Sequence, residues 1–455
     1  MTQYEKMTET NVKKLITLLA IPTVISMLVT AIYNVADTFF VSRINDSASA
    51  AISVVFSLMT LIQSIGFTIG MGSGSLISVS LGNRKEKDAS KYASQGILMG
   101  LILGVIFITF GLIFNSNIMS LLGASETSLP YSILYGRWIF IASPFMILSF
   151  IMNNILRNEG KARLSMIGLS FGGLLNIALD PLFIYGFDMG ISGAGLATMI
   201  SQITSFMILS SFFLFNRTVC KINIKYLTKD IRSYLEALRR GMPTLFRQGF
   251  ATGSNIILNF LAKPYGDSIV AALGITAKLY MILRNIIIGI GQGYMPVVGY
   301  NYGAKKYSRI KDAFYYVLIL ETIICALFTI AFFIFSNELV NVFTDSNDVI
   351  IVGGRAVKYL SFSLIFLGLS TTVNQSLQII GYAKSATFLA SLRQGLVYIP
   401  LIFMLEALFS ETGLCLTQPI SDTLTALISI PFIFYFFKII SETKEETKID
   451  YEAEE

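Results

Sequence analysis

Two carboxylates stand inside stretches of sequence that are otherwise typical of apolar helix. Asp37 lies in "LVTAIYNVADTFFVS", and Asp180 lies in "GGLLNIALDPLFIYG", four residues after Asn176. That spacing places Asn176 and Asp180 one turn apart on the same face of a helix. Two partly desolvated carboxylates close together favour uptake of a proton, and carboxylate and amide oxygens also suit a hard cation such as Na⁺. These residues predict a cation site.

The chain that carries them has the composition of a membrane protein. Of its 455 residues, 54% are hydrophobic and 14% are charged, against about 25% charged in a typical soluble domain. Apolar runs of about 20 residues, enough to cross a bilayer as a helix, predict an all-α integral membrane protein. The twelve predicted transmembrane helices span residues 15–41, 50–80, 92–115, 133–157, 164–185, 191–215, 235–261, 269–298, 312–335, 355–380, 386–408 and 413–439.

The basic residues of the connections predict the orientation. Segments 82–91, 157–163 and 216–240 carry four, three and seven Lys or Arg residues, whereas the alternate connections carry almost none. Because cytoplasmic loops retain basic residues, we expect a multi-pass protein of the cell (cytoplasmic) membrane with both termini in the cytoplasm. The net charge of +6 follows from this asymmetry, so no nucleic-acid partner is expected. Small organic molecules and membrane lipid are the expected partners, and the protein is expected to be monomeric.

The rarer residue types exclude several kinds of chemistry. The chain contains no histidine, which excludes His-based catalysis and His proton relays. Its three cysteines, Cys220, Cys325 and Cys415, are far apart and odd in number, which argues against a disulfide framework or a metal site. A membrane-embedded enzyme would need a catalytic His or a carboxylate cluster at the membrane surface. We therefore predict that the protein is not an enzyme and has no cofactor besides a coupling ion.

An internal repeat divides the chain into two lobes. Each repeat holds six crossings, so both have the same orientation, and two lobes around a central cavity favour alternating access. An offset of 221 residues pairs Pro22 with Pro243, Asp46 with Asp267, Gly70 with Gly291, Gly82 with Gly303, Asn153 with Asn374 and Gly160 with Gly381. The predicted parts are an N-terminal segment 1–14, an N-lobe 15–215, a linker 216–234, a C-lobe 235–439 and an acidic tail 440–455, which is expected to be disordered and cytoplasmic.

The polar set is confined to the first lobe. At the repeat offset Asp37 aligns with Leu258, and Asp180 aligns with Leu401. Residues needed for folding the repeat tend to recur in both copies, so a set present once is expected to serve function. Two structural readings stay open: Asp37 could extend to the membrane interface or cap a helix, and Asn176 could be interhelical glue. Pro22 predicts a weak point, or hinge, in the first helix.

The second lobe carries three cations within its predicted membrane helices. Arg247, Lys278 and Arg284 lie within predicted helices. They either pair with Glu321 or Asp422, or they line a cavity of the second lobe together with Gln248. In the second case they would disfavour a cationic ligand there.

Several stretches resemble the multidrug and toxic compound extrusion (MATE) family, most closely its bacterial MepA-like and DinF-like members. They are "IPTVISMLVTAIYNVADTFFVSRI", "NNILRNEGKARLSMIGLSFGGLLNIALDPLFIYGFDMGISGAGLAT", "RRGMPTLFRQG" and "GIGQGYMPVVGYNYGAKKY", and the resemblance covers about residues 12–440. It implies a twelve-helix, two-lobe antiporter that exports organic, usually cationic, compounds in exchange for H⁺ or Na⁺.

The resemblance also implies roles for individual residues. It assigns the coupling cation, H⁺ or Na⁺, to Asp37, Asn176, Asp180 and Thr198, and it maps a further asparagine to Asn153 or Asn154. Tyr33 and Asn34 are expected to support the same site. The seventh and tenth predicted helices lack the carboxylates that NorM-like members carry there, so the first lobe is the better candidate.

Two other functions compete with multidrug export. A flippase for a lipid-linked or anionic amphipathic substrate would share the two-lobe plan and have a strongly basic cavity, which the cations of the second lobe could provide. A channel has no reason to confine titratable groups to one of two repeats. The sequence leaves open which ion couples transport and which compound is the physiological substrate.

Overall fold

A computed structural model describes the backbone of residues 1–454 and the side chains of residues 1–444. The described residues form helices and no strands, which confirms the all-α prediction. Asn11 and Asn45 cap the starts of two long helices by accepting hydrogen bonds from the amides of Lys13 and Ala48. The helices are α1 Gln3–Glu9, α2 Val12–Ser42, α3 Asp46–Gly82, α4 Glu86–Ile113, α5 Asn115–Leu121, α6 Leu129–Asn158, α7 Ala162–Pro181, α8 Gly190–Leu214, α9 Ile231–Ala262, α10 Asp267–Gly303, α11 Tyr307–Ile334, α12 Ser336–Asn341, α13 Asn347–Ile379, α14 Ala383–Ser391, α15 Tyr398–Phe409 and α16 Glu411–Glu454, with π-helical turns at Leu182–Gly186 and Leu392–Leu396.

Eleven helical stretches of the described residues are long and apolar enough to cross a membrane. They correspond to eleven of the twelve predicted spans, with α7 continuing through its π turn and α14 joined to α15. The twelfth predicted span is α9, which is a helix of 32 residues. Its polar residues, Arg247 among them, lower its hydropathy. α9 packs against α3 and α14, and neighbouring helices allow polar positions at membrane depth to face protein or a water-filled cavity.

The second half of the fold repeats the first at the predicted offset. α3 and α10 begin and end 221 residues apart, and so do α4 and α11. In the first half α6 packs against α3, α4 and α8, and in the second half α13 packs against the equivalent α10, α11 and α16. The chain therefore forms two lobes, each with six long helical stretches. The N-lobe runs from α2 to α8 and includes the short α5; the C-lobe runs from α9 to α16, includes the short α12, and has α14 and α15 joined as one stretch.

The lobes meet through helices that the repeat relates to one another, because α2 packs against α10 and α3 packs against α9. Glycines allow very close approach here. A Cβ atom added to Gly72 would lie 1.8 Å from the carbonyl oxygen of Ala237, and one added to Gly241 would lie 2.0 Å from that of Thr68. No larger residue fits at either position without moving a helix.

All hydrogen bonds that join the lobes, among the described residues, lie in the half of the bundle that holds the N terminus. Thr23 of α2 donates to the carbonyl oxygen of Gly289 at 2.6 Å, and Tyr300 of α10 donates to that of Glu159 at 3.2 Å. Arg157 of α6 also donates to Gln292 of α10. We call this half the closed end and the opposite half the open end.

The N-terminal helix α1 reinforces the closed end by contacting both lobes. Gln3 donates to the carbonyl oxygen of Glu159 in the N-lobe at 2.7 Å. Arg309 of the C-lobe donates to the carbonyl oxygen of Thr10, just after α1, at 2.6 Å. The segment that was predicted only as a polar terminus is thus part of the contact between the lobes.

The inter-lobe linker is fastened to the N-lobe by one buried carboxylate. Glu159, at the end of α6, accepts hydrogen bonds from the amides of Val219 and Cys220, each at 2.9 Å, and lies 3.7 Å from Lys161. Since Glu159 also contacts α1 and Tyr300 through its carbonyl group, it joins the linker to the closed end.

The backbone of the tail differs from the prediction. α16 continues as one helix to Glu454, whereas a disordered tail was expected from residue 440. Glu, Lys and Ala in this segment have high helix propensity, and Lys438 lies 3.6 Å from Glu442 one turn along the helix. The side chains after residue 444 lie outside the described residues.

Candidate functional site

Asp37 is buried at a contact between helices of the N-lobe. Its side chain is 5% exposed, and the hydroxyl of Tyr135 on α6 donates to its Oδ2 at 2.6 Å. Asp37 therefore neither extends to the membrane interface nor caps a helix. A carboxylate is costly in the membrane interior, and burial with a polar partner is the arrangement expected of a functional group there.

The other predicted residues join the same cluster. Asn176 donates to Asp180 Oδ1 at 3.1 Å and to Thr198 Oγ1 at 3.3 Å, and the hydroxyls of Thr198 and Tyr135 are 3.3 Å apart. A continuous chain of hydrogen bonds thus runs from Asp37 through Tyr135, Thr198 and Asn176 to Asp180. We call these five residues the acidic cluster; each is at most 5% exposed.

The acidic cluster holds several buried oxygens that have no hydrogen-bond partner among the described residues. They are Oδ1 of Asp37, Oδ2 of Asp180 and Oδ1 of Asn176. Buried polar atoms without a partner are rare, and each one calls for an explanation. These three oxygens are all acceptors, so the cluster has capacity for a proton or for a cation with oxygen ligands.

Local features of α7 and α8 position the cluster. Pro181 cannot donate a backbone hydrogen bond, and directly after it the chain forms the π turn Leu182–Gly186, an irregularity that is frequent at functional sites. Gly195 of α8 accommodates the ring of Tyr135, since a Cβ atom there would lie 2.8 Å from its Cδ2 atom. The small residue lets α6 and α8 approach until Tyr135 and Thr198 meet.

Of the predicted supporting residues, Tyr33 lies one turn from Asp37 on α2. It is buried and accepts a hydrogen bond from Gln63 of α3 at 3.4 Å. Asn34 is only half-buried. Tyr33 extends the polar region from the acidic cluster toward α3, and the side chain of Asn34 interacts with Tyr33. The supporting role of both residues stays a prediction.

Asn153 and Asn154 do not join the acidic cluster. Asn153 donates to the hydroxyl of Ser165 at 2.6 Å, and Asn154 accepts from Arg157 at 2.6 Å, near the closed end. They stand 18 residues and more from Tyr135 on the same helix, which is about 27 Å along its axis. The structure therefore does not bring them to the acidic cluster, and their described hydrogen bonds are to Ser165 and Arg157.

Pro22 lies within α2, which continues through it without a break. The neighbouring Thr23 bonds across to the carbonyl oxygen of Gly289, and a Cβ atom on Gly289 would lie 2.8 Å from the Cα atom of Val24. The proline thus stands where α2, the helix of Asp37, touches the other lobe. Its role as a hinge stays a prediction.

The cations of the C-lobe line cavities. Lys278 and Arg284 line one cavity, Arg247 lines the next, and the described residues include no carboxylate within ion-pair distance of these three. The two carboxylates considered as partners are occupied elsewhere, because Glu321 accepts from Thr372 at 2.7 Å and Asp422 faces Arg393. Among the described residues, Gln248 is half-buried and lines neither cavity.

Two functional candidates, Tyr135 and Arg393, are not indicated by any pattern in the sequence. A tyrosine in the outer part of a spanning helix is typical of the membrane interface, so nothing in the sequence indicates that Tyr135 points inward. Arg393 belongs to "LRQGL", which forms the second π turn. That turn occurs at a different repeat position from the first, so the repeat could not have revealed it.

Tyr135→Phe tests the link at the centre of the cluster. We expect roughly tenfold slower export, the activity that the resemblance implies, because Asp37 loses its hydrogen-bond donor while the ring packing is kept. Efflux from proteoliposomes measures the effect. Tyr131→Phe is the matched control, since Tyr131 lies on the same helix and its hydroxyl accepts from Asn45 instead. Equal rates for both variants would contradict the role of Tyr135.

The fold and the cluster define a class of protein. Two membrane lobes related by a parallel repeat, with a buried polar site inside one of them, have the architecture of a secondary transporter. The MatE family model matches residues 22–182 and 243–404, which are the two copies of the repeat.

Similar proteins support the same family assignment. The multidrug export protein MepA of Staphylococcus aureus (strain MSSA476) is 31% identical over 417 residues, covering 91% of this chain and 92% of that protein. MepA of Staphylococcus saprophyticus is 30% identical over 430 residues, covering 94% of each. The chain belongs to the MATE family of multidrug efflux transporters.

Solved structures confirm the fold. The outward-facing conformation of a multidrug resistance MATE family transporter superposes with a TM-score of 0.91 at 23% identity, covering 98% of this chain and 99% of that one. MATE structures in a straight and in a bent conformation also match with TM-scores of 0.91, at 23% and 22% identity, with the same coverage.

Proposed function

We propose that this transporter is an antiporter that exports lipophilic, mainly cationic organic compounds in exchange for H⁺ or Na⁺. The observation that carries the proposal is the acidic cluster, with two buried carboxylates, three oxygens without a partner, and no counterpart in the other lobe. A group of acceptors that nothing in the described residues neutralises is suited to a reversible cation. Because the cluster lies within one lobe, the chain is expected to work as a monomer.

The coupling follows from competition for the same negative charge. When the carboxylates of Asp37 and Asp180 are ionised, they attract a cationic drug and repel each other. A proton or Na⁺ removes both effects, which weakens drug binding and allows α2 and α7 to approach. Each ligand therefore lowers the affinity for the other, and this linkage must be reciprocal.

The closed end corresponds to the cytoplasmic side in this proposal. Its connections, such as segments 82–91 and 157–163, carry the excess of basic residues that marks cytoplasmic loops. The contacts between the lobes then close the cytoplasmic side, so the described state is outward-facing. Transport requires that these contacts open while the opposite half closes.

Separately imposed ion gradients test the proposal in proteoliposomes. With the membrane potential clamped at zero, we expect a proton gradient or a Na⁺ gradient to drive uptake of an ethidium-like cation against its own gradient. Liposomes without protein are the control. Uptake that follows only the drug gradient, whichever ion gradient is present, would contradict antiport.

Pro22→Ala tests whether α2 transmits the coupling. Alanine restores the backbone donor that proline lacks and removes the weak point of the helix. We expect drug binding to persist but to lose its dependence on pH and Na⁺, measured as drug affinity between about pH 5 and about pH 9. Pro144→Ala, a proline within α6, is the control. If the drug affinity of Pro22→Ala depends on pH and Na⁺ as in the wild type, the hinge is refuted, whereas the cation site is not.

One observation favours the flippase alternative. The C-lobe cavity holds cations without carboxylate partners, as expected for a transporter of anionic amphipathic substrates. Reconstitution with a fluorescent lipid-linked substrate tests this alternative, since accelerated flipping in the absence of any ion gradient would favour it over antiport.

A further inference from the structure

A cavity of about 200 Å³ lies within the C-lobe, between α9, α10, α13 and α16. Its wall is mixed: Leu258, Leu273 and Leu360 are apolar, Tyr398 adds an aromatic face, and about half of the lining residues are polar or charged. Lys278 and Arg284 belong to the charged part. Apolar and aromatic side chains combined with placed polar groups are usual in a small-molecule site.

A second cavity adjoins the first and adds two more cations. It is lined by Arg247 and Arg393, and Gln394 lines both cavities. Gln394 and Arg393 belong to the π turn Leu392–Leu396, the type of helix irregularity that frequently marks functional sites. Four basic side chains are thus gathered around one connected polar region, which we call the basic cavity.

The carboxylate of this region is already satisfied. Asp422 accepts hydrogen bonds from Tyr280 at 2.8 Å and from Gln418 at 2.9 Å, and it lies 3.8 Å from Arg393. One carboxylate cannot balance four cations. The basic cavity therefore carries an excess of positive charge.

Among the four cations, Arg284 has a buried donor that is left without a partner. Its Nε atom is buried and has no hydrogen-bond partner among the described residues. Lys278 lines the same cavity and is exposed rather than buried. Unpaired cations in membrane helices are costly, and they mark the paths of ions or substrates.

These cations are specific to the C-lobe. At the repeat offset Arg247, Lys278, Arg284 and Arg393 align with Ser26, Ser57, Gln63 and Gly172. The repeat folds in the N-lobe without any cation at these positions, so folding does not require them in the C-lobe. The interior polar regions of the two lobes thus differ in sign: the acidic cluster lies in the N-lobe, and the basic cavity lies in the C-lobe.

We propose that the basic cavity is an anion-binding subsite that takes the carboxylate of an amphipathic aromatic compound, with Arg284 and Lys278 as its ligands. The inference rests on the proposed export function and names a substrate class for it, compounds that carry an anionic group as well as a lipophilic body. Arg284 supplies a planar donor suited to an oxyanion, and Lys278 supplies a second charge. The cavity volume of about 200 Å³ suits an aromatic ring with a carboxylate.

A matched pair of dyes tests the proposal. Rhodamine 19 is a free acid, and rhodamine 6G is its ethyl ester, so the two differ only at the carboxyl group. Calorimetric titration of the purified protein in neutral detergent gives both affinities. We expect the free acid to bind more tightly than the ester, and Arg284→Gln to weaken the acid by about thirtyfold while leaving the ester nearly unchanged.

Three further arms make the outcome decisive. Arg284→Lys keeps the charge and is expected to retain most of the preference, and Lys278→Gln is expected to reduce it. Lys438→Gln removes an exposed charge from α16 and is expected to change neither affinity. Phosphatidylglycerol added to the micelles is expected not to displace the acid.

Several results would overturn the subsite: equal affinity for the two dyes in the wild type, equal loss of both in Arg284→Gln, or binding of phosphatidylglycerol in preference to the free acid. The binding assay needs no ion gradient. A preference for the acid without gradient-driven transport would therefore refute antiport alone, and gradient-driven export without that preference would refute the subsite alone.

Discussion

Asp37→Asn and Asp180→Asn are each expected to abolish drug efflux while the protein remains folded. Asparagine has nearly the shape of aspartate and retains an acceptor oxygen, so the contacts with Tyr135 and Asn176 can persist. It cannot carry the negative charge, which is what the proposed exchange of drug and cation requires. Efflux from cells at equal expression measures the loss, and size-exclusion elution in detergent checks folding.

The control for these variants is a buried carboxylate outside the cluster. Glu321 is fully buried in the C-lobe and accepts from Thr372, so Glu321→Gln makes the same chemical change in the lobe that lacks the cation site. We expect it to retain efflux. Wild-type resistance from both aspartate variants would refute the cation site.

Gly241→Leu is expected to keep the two lobes apart at the closed end and to abolish efflux. A Cβ atom at this position would already lie 2.0 Å from the carbonyl oxygen of Thr68 in the other lobe, and overpacking of this kind costs about 3 kcal/mol. The described state, in which the lobes touch here, then becomes unfavourable. The expected result is a protein whose two lobes are separated at this end of the bundle.

Distances between spin labels at Lys87 and Lys311 measure this effect, because both residues are exposed and lie on opposite lobes near the closed end. We expect longer distances for Gly241→Leu than for the parent protein. Gly249→Leu is the control on the same helix, since a Cβ atom at Gly249 meets nothing within 4 Å. Unchanged distances together with normal efflux would contradict the close approach of α3 and α9.

The sequence was sufficient for the parts of the structure that depend on hydropathy and on the repeat. The offset of 221 residues predicts the bounds of α10 and α11 from those of α3 and α4. Asp37 and Asp180 were identifiable because a carboxylate in an apolar run has few structural explanations. The structure brings them together with Asn176 and Thr198.

Other parts depend on which way a side chain points, which the sequence does not encode locally. Asn153 and Asn154 are polar residues in a spanning helix, like Asn176, but they lie at the far end of α6 from Tyr135. Tyr135 itself is indistinguishable in the sequence from an interfacial tyrosine. The low hydropathy of α9 has a related cause, because polar residues such as Arg247 and Asn255 line cavities inside the C-lobe.

Ion release on drug binding shows whether drug and cation exchange at the acidic cluster. Drug is added to the purified protein in weakly buffered detergent solution, and the protons or the radioactive Na⁺ set free are measured, for the wild type and for the Asp37→Asn/Asp180→Asn variant. If drug and cation exclude one another at the acidic cluster, the wild type releases an ion for each drug bound, and the variant releases none. Drug binding to the wild type without release of either ion, or equal release from the variant, would contradict exchange of drug and cation at the acidic cluster.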